Sequence, residues 1–321
     1  MKTATKIWIA VACALVLVGG ILFTGVMTML NWDFSKLSTV KYETNTYELG
    51  ESIANIAIVT DTANVTFVPT TDGTCSVSCY EQKNVKHTVT VKDGTLSITV
   101  KDTRKWYEHI GISFASPKIT VSVPQGEYGA LSLRSDTGNV ELPGELTFAG
   151  VDVSGSTGNV TSRASVTGAV KIKTSTGSIR LENLSADSLS LSASTGNIVA
   201  SNVTCESEAQ LRVSTGKTEL TNVTCTDLTS SGSTGNATLN GVIVAETLSV
   251  KRDTGNVKLD RSDAAELFIE TDTGNVTGSL LSAKVFLAQS ATGRVDVPKT
   301  IDGGRCEIST DTGNIKITVA E

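Results

Sequence analysis

The chain has 321 residues with 28 Gly, only 5 Pro, 6 Cys and 5% aromatics, and its formal net charge is −6. That acidic balance excludes a nucleic-acid surface. The cysteines are scattered, no CxxC occurs, and His87 and His109 lie far apart, so spacing suggests neither a disulfide scaffold nor a zinc site.

Residues 7–30, IWIAVACALVLVGGILFTGVMTML, form an uncharged, mostly apolar run. About 20 such residues cross the hydrocarbon core as a helix. Lys2 and Lys6 precede the run, which by the positive-inside rule leaves residues 1–6 in the cytoplasm and the remainder outside. Trp8 and Trp32 flank it where indoles sit at the headgroup layers. A cleaved signal peptide would have a shorter apolar region and an A-x-A-like site, which is missing here. A lipoprotein reading at Cys13 fails because the apolar stretch after Lys6 is too short and Ala10 stands where Leu is expected. The expectation is a retained single-pass membrane anchor.

Residues 31–129 read as a separate β unit. Alternating segments appear at IANIAIVT, NVTFVP, CSVSCY, KHTVTV, GTLSITV and KITVSVP, punctuated by Asp72-Gly73, Asp93-Gly94, Pro117 and Pro124. Asp93-Gly94 is a two-residue hairpin signal. The expectation is an antiparallel unit that caps the repetitive remainder of the chain. Asp61-Thr62-Ala63-Asn64-Val65 looks like a degenerate copy of a later corner motif, which leaves room for coiling to begin earlier. KWYEHIGISF, residues 105–114, interrupts the pattern with Trp106, Tyr107 and His109. It is either a binding loop or a flap folding its aromatics over an open core end, and the need to cap solenoid ends favours the flap.

Residues 130–321 are repetitive. STGN or DTGN variants place Gly138, Gly158, Gly177, Gly196, Gly216, Gly235, Gly255, Gly274, Gly293 and Gly313 at intervals of 19 or 20. So regular a period marks a repeat architecture. Apolar residues recur two and four positions after each glycine, as in Ile179 and Leu181, and again seven and five before the next, as in Leu189 and Leu191. Each pair marks a short strand with one buried face. The spare residue of a 20-residue repeat then falls in the bend between strands, where no ladder register changes. The fold expected is all-β: a parallel β-solenoid of ~19–20 residues per coil, right-handed by the general handedness of parallel crossovers. Nine turns would make a rod of roughly 43 Å.

Asp-Thr-Gly carries the catalytic carboxylate of aspartic proteases, and it occurs here at Asp136, Asp253, Asp272 and Asp311. The same position is Ser156, Ser175, Ser194, Ser214, Ser233 or Ala291 in other copies, so the tripeptide reads as a turn. Asp253 and Asp272 on adjacent coils could share a proton or hold Ca²⁺, but two solvated carboxylates softened by Arg252 is the simpler reading. A carbohydrate-active β-helix would need clustered acids and stacking aromatics, and from residue 131 onward there is no Trp or Tyr. No catalytic, metal or cofactor-binding residue is assigned.

Cys205 and Cys225 each lie nine residues after a corner glycine and should stack on neighbouring coils, as a disulfide or as part of a buried column of small residues. The last segment, KITVAE, would leave an open coil edge blunted only by Lys316 and Glu321.

The N-terminal anchor, the ITVSVPQGEYGALSLRSDTGNVEL junction and the chain of STGN/DTGN repeats resemble the bacterial membrane-anchored "putative adhesin" family, a β-solenoid domain of unknown function. The resemblance implies a cell-envelope protein without a family catalytic set. The expected function is a non-enzymatic adhesin or envelope scaffold; the alternatives are an envelope-stress accessory acting on a membrane partner and, more weakly, a carbohydrate-active enzyme. Expected partners are the membrane and either envelope proteins or surface glycan, with no nucleic acid.

Overall fold

The computed structural model describes residues 3–38, 40–106, 113 and 115–320. Each repeat closes into one coil, and the coil that starts at Gly177 shows how. After the corner, Ile179 and Leu181 point inward on a first side. Asn183 then takes a φ of 53°, which turns the chain so that Leu184 and Ala186 bury on a second side. A bend at Asp187 leads to Ser188–Thr195, the third side, with Leu189, Leu191 and Ala193 inside. Sequence periodicity predicts two buried pairs per coil, and the structure adds this middle one. The turning residue is Asn183, Asn202, Asn222, Gly241 or Arg261 in successive coils. Asn and Gly enter the left-handed region readily, Arg less so, and such varied identity hides the corner from a motif search.

Coils stack by parallel pairing in register. Ile179 meets Ile198, then Thr218, Ala237, Val257 and Val276 along one side. Inward side chains therefore sit on inward side chains, and one core runs from Ile53 to Ile317. A fully buried Leu or Ile contributes about 1.5–3 kcal/mol, so stacking one coil on the next stabilises both. The spare residue falls in the bend as expected: Ala186 pairs with Cys205 and Leu189 with Ala209, so the later coil has one more residue between those points.

Both ends break chain order. Strand Asn55–Thr60 pairs in parallel with Thr95–Asp102 on one edge and with Gly126–Thr137 on the other. Asn64–Thr70 does the same between Lys118–Pro124 and Val140–Leu142. The coil of residues 55–70 thus lies between two strands made later, Thr95–Asp102 and Lys118–Pro124, and the first regular repeat. Coiling begins near Asn55, and the expected boundary at residue 129 falls inside Gly126–Thr137. The antiparallel part is smaller than expected. Cys75–Gln82 runs against Lys118–Pro124, Val85–Lys92 against Thr95–Asp102, and Tyr42–Leu49 against Cys75–Gln82. Asp93 and Gly94, with φ of 50° and 71°, form the hairpin turn between Val85–Lys92 and Thr95–Asp102.

At the other end, Gly304–Thr312 inserts between Glu266–Thr273 and Lys284–Thr292. Ile315–Val319 likewise lies between Val276–Leu280 and Val295–Asp296. KITV is therefore an internal strand, and the open edge belongs to residues 284–296, contrary to the expectation from the chain's last residues. Burial follows this order: Cys306, Ile308, Ile315 and Ile317 are fully buried in the two-sided position, whereas Phe286 and Ala288 on the terminal coil stay half-buried and Val295, which pairs with Ile315, is exposed.

The N-terminal apolar run is a single helix, Thr3–Met29, exposed along nearly its whole length. At 1.5 Å per residue it measures about 40 Å, enough to cross a bilayer.

Candidate functional site

The corner glycines form one column whose demands are steric. Gly158 has a φ of 139°, and a Cβ built on it would lie 2.0 Å from the Gly138 carbonyl oxygen. Gly196, with a φ of 142°, stands in the same relation to Gly177. The column follows the swapped order, with Gly313 on Gly274 and Gly293 on Gly313. Its first regular member, Gly138, rests on Ala63, so Asp61–Val65 is a corner.

Asparagine follows seven of the ten corner glycines, and its job differs from the one its tolerance of positive φ suggests, since none of these residues adopts it. Its Oδ1 accepts the backbone amide one coil on: Asn139 N donates to Asn64 at 2.8 Å, Asn159 N to Asn139 at 2.8 Å, and Asn314 N to Asn275 at 2.7 Å. A second ladder links the middle corners, with Nδ2 of Asn202 and Asn222 donating to Oδ1 of Asn183 and Asn202. Asn159→Ala would leave the Ser178 amide, which donates to Asn159 Oδ1 at 2.8 Å, without its acceptor. A loss of about 1–2 kcal/mol in urea unfolding is expected, with Asn159→Asp sparing most of it.

The Asp residues of the repeated tripeptide, Asp136, Asp253, Asp272 and Asp311, are all exposed at the corner. Arg252 does not soften the Asp253–Asp272 pair. It turns into the core, 1% exposed, and donates to Ser230 O, Ser230 Oγ, Thr218 Oγ1 and Lys251 O. Burial pulls its guanidinium down to about 10, still charged at neutral pH. Space for it comes from Gly232, where a Cβ would sit 3.3 Å from Arg252 Nη1. The cation beside the two carboxylates is Lys251, which pairs with Glu270 at 2.8 Å.

Cys205 and Cys225 stand on neighbouring coils as buried free thiols. Cys205 donates to the carbonyls of Asp187 and Glu208, and burial pushes Cys225 up to about 12. Trp106 is 80% exposed, so it does not cover an open core end. Tyr107 and His109 lie outside the described residues.

Sequence reasoning missed a buried polar cluster in the cap. On Cys75–Gln82 the inward positions are Val77, Cys79 and Glu81, and on Val85–Lys92 they include His87. His87 Nδ1 lies 2.7 Å from Glu81 Oε2, His87 N donates to the same oxygen at 2.6 Å, and His87 Nε2 lies 2.9 Å from Thr60 Oγ1. Asn45 Nδ2 donates to Glu81 Oε1 at 2.7 Å. An acid in the inward phase of an alternating strand was the available signal, but Asn45 joins it from 36 residues away.

Two chemistries fit this set in outline. The order Thr60–His87–Glu81 is that of a hydroxyl–imidazole–carboxylate triad. Thr60 is only 3% exposed, however, and the neighbouring cavity of about 100 Å³, between Asp61, Arg104 and Pro117, is far smaller than the 300–1,000 Å³ typical of small-molecule sites. Cys79, Glu81 and His87 also bring one ligand atom each within 4.8 Å of one another. Zinc needs the thiolate and a fourth ligand, whereas burial and the Glu81 charge push Cys79 up to about 12. With no buried side-chain nitrogen or oxygen unpaired among the described residues, Thr60, Glu81, His87 and Asn45 form a hydrogen-bond network that fixes the cap hairpin to the stack. An open surface groove of about 320 Å³ lies over Ser190, Ser192, Gln210 and Arg212.

Comparison with known proteins agrees with the fold. A Parabacteroides distasonis ATCC 8503 structure described as a "putative adhesin" is similar with a TM-score of 0.50 and 15% identity, covering 87% of this chain and 98% of that one. A Bacteroides fragilis NCTC 9343 structure with the same description reaches 0.43 at 18% identity over 87% and 97%. A P. distasonis structure described as a "putative lipid binding protein" reaches 0.42 at 16% over 86% and 97%. No curated protein matches in sequence. The family model Toastrack DUF4097 matches residues 53–224 and again 206–321, and so spans both the intercalated end coils and the regular repeats. The chain belongs to the Toastrack DUF4097 family.

Proposed function

We propose that this protein is a non-enzymatic rod, anchored in the cell membrane by its N-terminal helix, that holds a binding surface outside the cytoplasm for adhesion or envelope scaffolding. The observation that carries the reading is the unbroken core from Ile53 to Ile317, which commits nearly every recurring side chain to stacking. The cluster with acid–base character is sealed inside the cap, with Glu81 at 1%, Thr60 at 3% and His87 at 5% exposure. Structural neighbours described as adhesins support it as fold relatives. Lys6 ahead of the helix favours an N-terminus in the cytoplasm, and the partners would be envelope proteins or surface glycan.

A second reading is an envelope accessory acting on a partner in the same membrane. It is favoured by the short link between Met29 and Tyr42, which keeps the rod close to the bilayer. Proximity cross-linking and pull-down in a bacterial host, with the whole chain and with a form lacking residues 1–30, separates the two. Binding of the shortened form to cells or glycan is expected for an adhesin. Recovery of a membrane sensor or wall-synthesis protein only with the helix present would replace that reading by the second.

A further inference from the structure

At one corner of the cap the starts of Tyr42–Leu49 and Lys118–Pro124 meet the ends of Cys75–Gln82 and Thr95–Asp102. Lys83 N donates to Lys41 O at 3.0 Å, Thr103 N donates to Asn84 O at 2.9 Å, and Tyr80 pairs with Lys118. Tyr42 ties the corner together. Its ring stacks on Tyr80 with centroids 5.1 Å apart, and its hydroxyl lies 2.8 Å from Ser113 Oγ. Asn64 N donates to Pro117 O and Thr137 N to Asp61 O, so this corner continues the edge of the rod that carries the glycine column.

The acids here are already engaged. Glu81 is sealed in the buried network, Glu43 pairs with Lys86 at 2.6 Å, and Asp102 pairs with Arg104 at 2.6 Å. Asp61 lies beside the same Arg104 guanidinium, and Glu108 falls outside the described residues. By contrast Lys41, Lys83, Lys101 and Lys118 are exposed and form no ion pair among the described residues. Lys105 is exposed too, and it leads into Trp106, which has 80% of its surface in solvent. A chain of net charge −6 thus presents five lysines beside an exposed indole. Further along the same edge the exposed charges are Asp136, Asp253, Asp272 and Asp311 against Lys217 and Arg294, so the positive excess is confined to the cap end.

We infer that this corner rests on the anionic headgroup surface of the bilayer that holds the helix, with Trp106 seated among the headgroups. The inference rests on the anchored reading above, which sets what lies within reach. Trp32 folds back on the helix, edge-on to Phe23 with ring centroids 6.4 Å apart, so the link to the rod begins at Asp33. Residues 33–41 span at most about 30 Å, and they end at Lys41 itself. The corner is therefore the part of the rod held nearest the headgroups. Lysines beside a membrane-spanning helix are drawn to anionic lipid within a Debye length, and Trp settles at the headgroup layer. An apolar protein surface would leave these ammonium groups unpaired, whereas lipid phosphates match them. Held by both the link and the lysine corner, the rod would leave the membrane in a fixed direction, and the acids further along would keep the rest of that edge away.

The test uses the full chain with Trp8→Phe and Trp32→Phe, which leaves Trp106 as its single indole. It is reconstituted into phosphatidylcholine vesicles with and without phosphatidylglycerol, with brominated acyl chains as quenchers. In the anionic vesicles Trp106 emission is expected to shift to the blue and lose at least half its intensity, and high salt should restore it. Combining Lys41→Glu, Lys83→Glu and Lys118→Glu should bring quenching down to the level of neutral vesicles, with circular dichroism and thermal midpoint unchanged. Trp106 unquenched in both kinds of vesicle would overturn the inference, as would quenching that the triple variant retains. Protection of Trp106 by added polyphosphate, without quenching by lipid, would assign the corner to a soluble polyanion and overturn it as well. Resistance of the vesicle-bound chain to alkaline extraction reports the anchor by itself, so failure of the anchored reading and failure of the headgroup contact are distinguishable.

Discussion

Gly196→Ala is expected to cost about 3–5 kcal/mol, the upper range for a single substitution. Two effects add. The backbone at a φ of 142° lies where a Cβ is disfavoured, and the new methyl would sit 2.0 Å from the Gly177 carbonyl oxygen, a backbone atom that cannot move without shifting its own coil. The defect lies mid-stack, so relief in either direction disturbs another corner. Urea unfolding followed by circular dichroism should show the midpoint falling and the single transition separating into two, as stacks on either side lose their coupling. Gly50→Ala is the control, because nothing lies within 4 Å of its added Cβ, and it should remain within about 0.5 kcal/mol of wild type. Equal effects at the two sites would mean that the corner column is not sterically closed.

The second large effect concerns Arg252. Arg252→Ala should lose about 2–4 kcal/mol, since it opens a cavity beneath Gly232 and strands the hydroxyls of Ser230 and Thr218. Arg252→Met keeps the volume and removes a buried charge whose hydrogen bonds all go to uncharged groups. Replacing such a charge by a hydrophobe of similar size is often neutral, so this variant should lie within about 1 kcal/mol of wild type. The sign of the pH effect comes from the depressed guanidinium. The unfolded chain binds the proton more tightly, so the charge weighs against folding below about 10 and that burden lifts only above it. The gap between Met and Arg forms should therefore be constant through neutral pH and begin to change only in strong alkali. A Met variant as unstable as the Ala variant would show that the hydrogen bonds outweigh desolvation.

Much of this architecture was legible in the sequence because a solenoid repeats its local physics. Gly138 through Gly313 announce corners, and pairs such as Ile179 and Leu181 announce inward faces. The middle corner escaped because the left-handed position accepts Asn183, Gly241 or Arg261 without leaving a common letter. The end coils escaped for another reason. Period fixes what a coil is but not which coil lies on which, and nothing in the repeated letters marks Gly304–Thr312 as the strand that inserts between Glu266–Thr273 and Lys284–Thr292. Arg252 was misplaced because its neighbour Asp253 is exposed and strand alternation was not carried through the corner. The cap cluster was out of reach because Glu81 and His87, though on neighbouring strands, are completed by Thr60 and Asn45 from 27 and 36 residues away.

The swapped coils change how the rod would respond to mechanical load. A pull transmitted from the helix enters at Tyr42–Leu49, which can peel from Cys75–Gln82 one pair at a time. The next element reached is the coil of residues 55–70. Ile56 is clamped between Leu96 and Leu131, and Val65 between Ile119 and Val140. Drawing that coil out must shear ladders on both sides at once, so the rod cannot unreel from its N-terminal end. The coil of residues 304–319 holds the chain's other terminus in the same double grip. Tension on either terminus meets a two-sided clamp before it reaches the regular repeats.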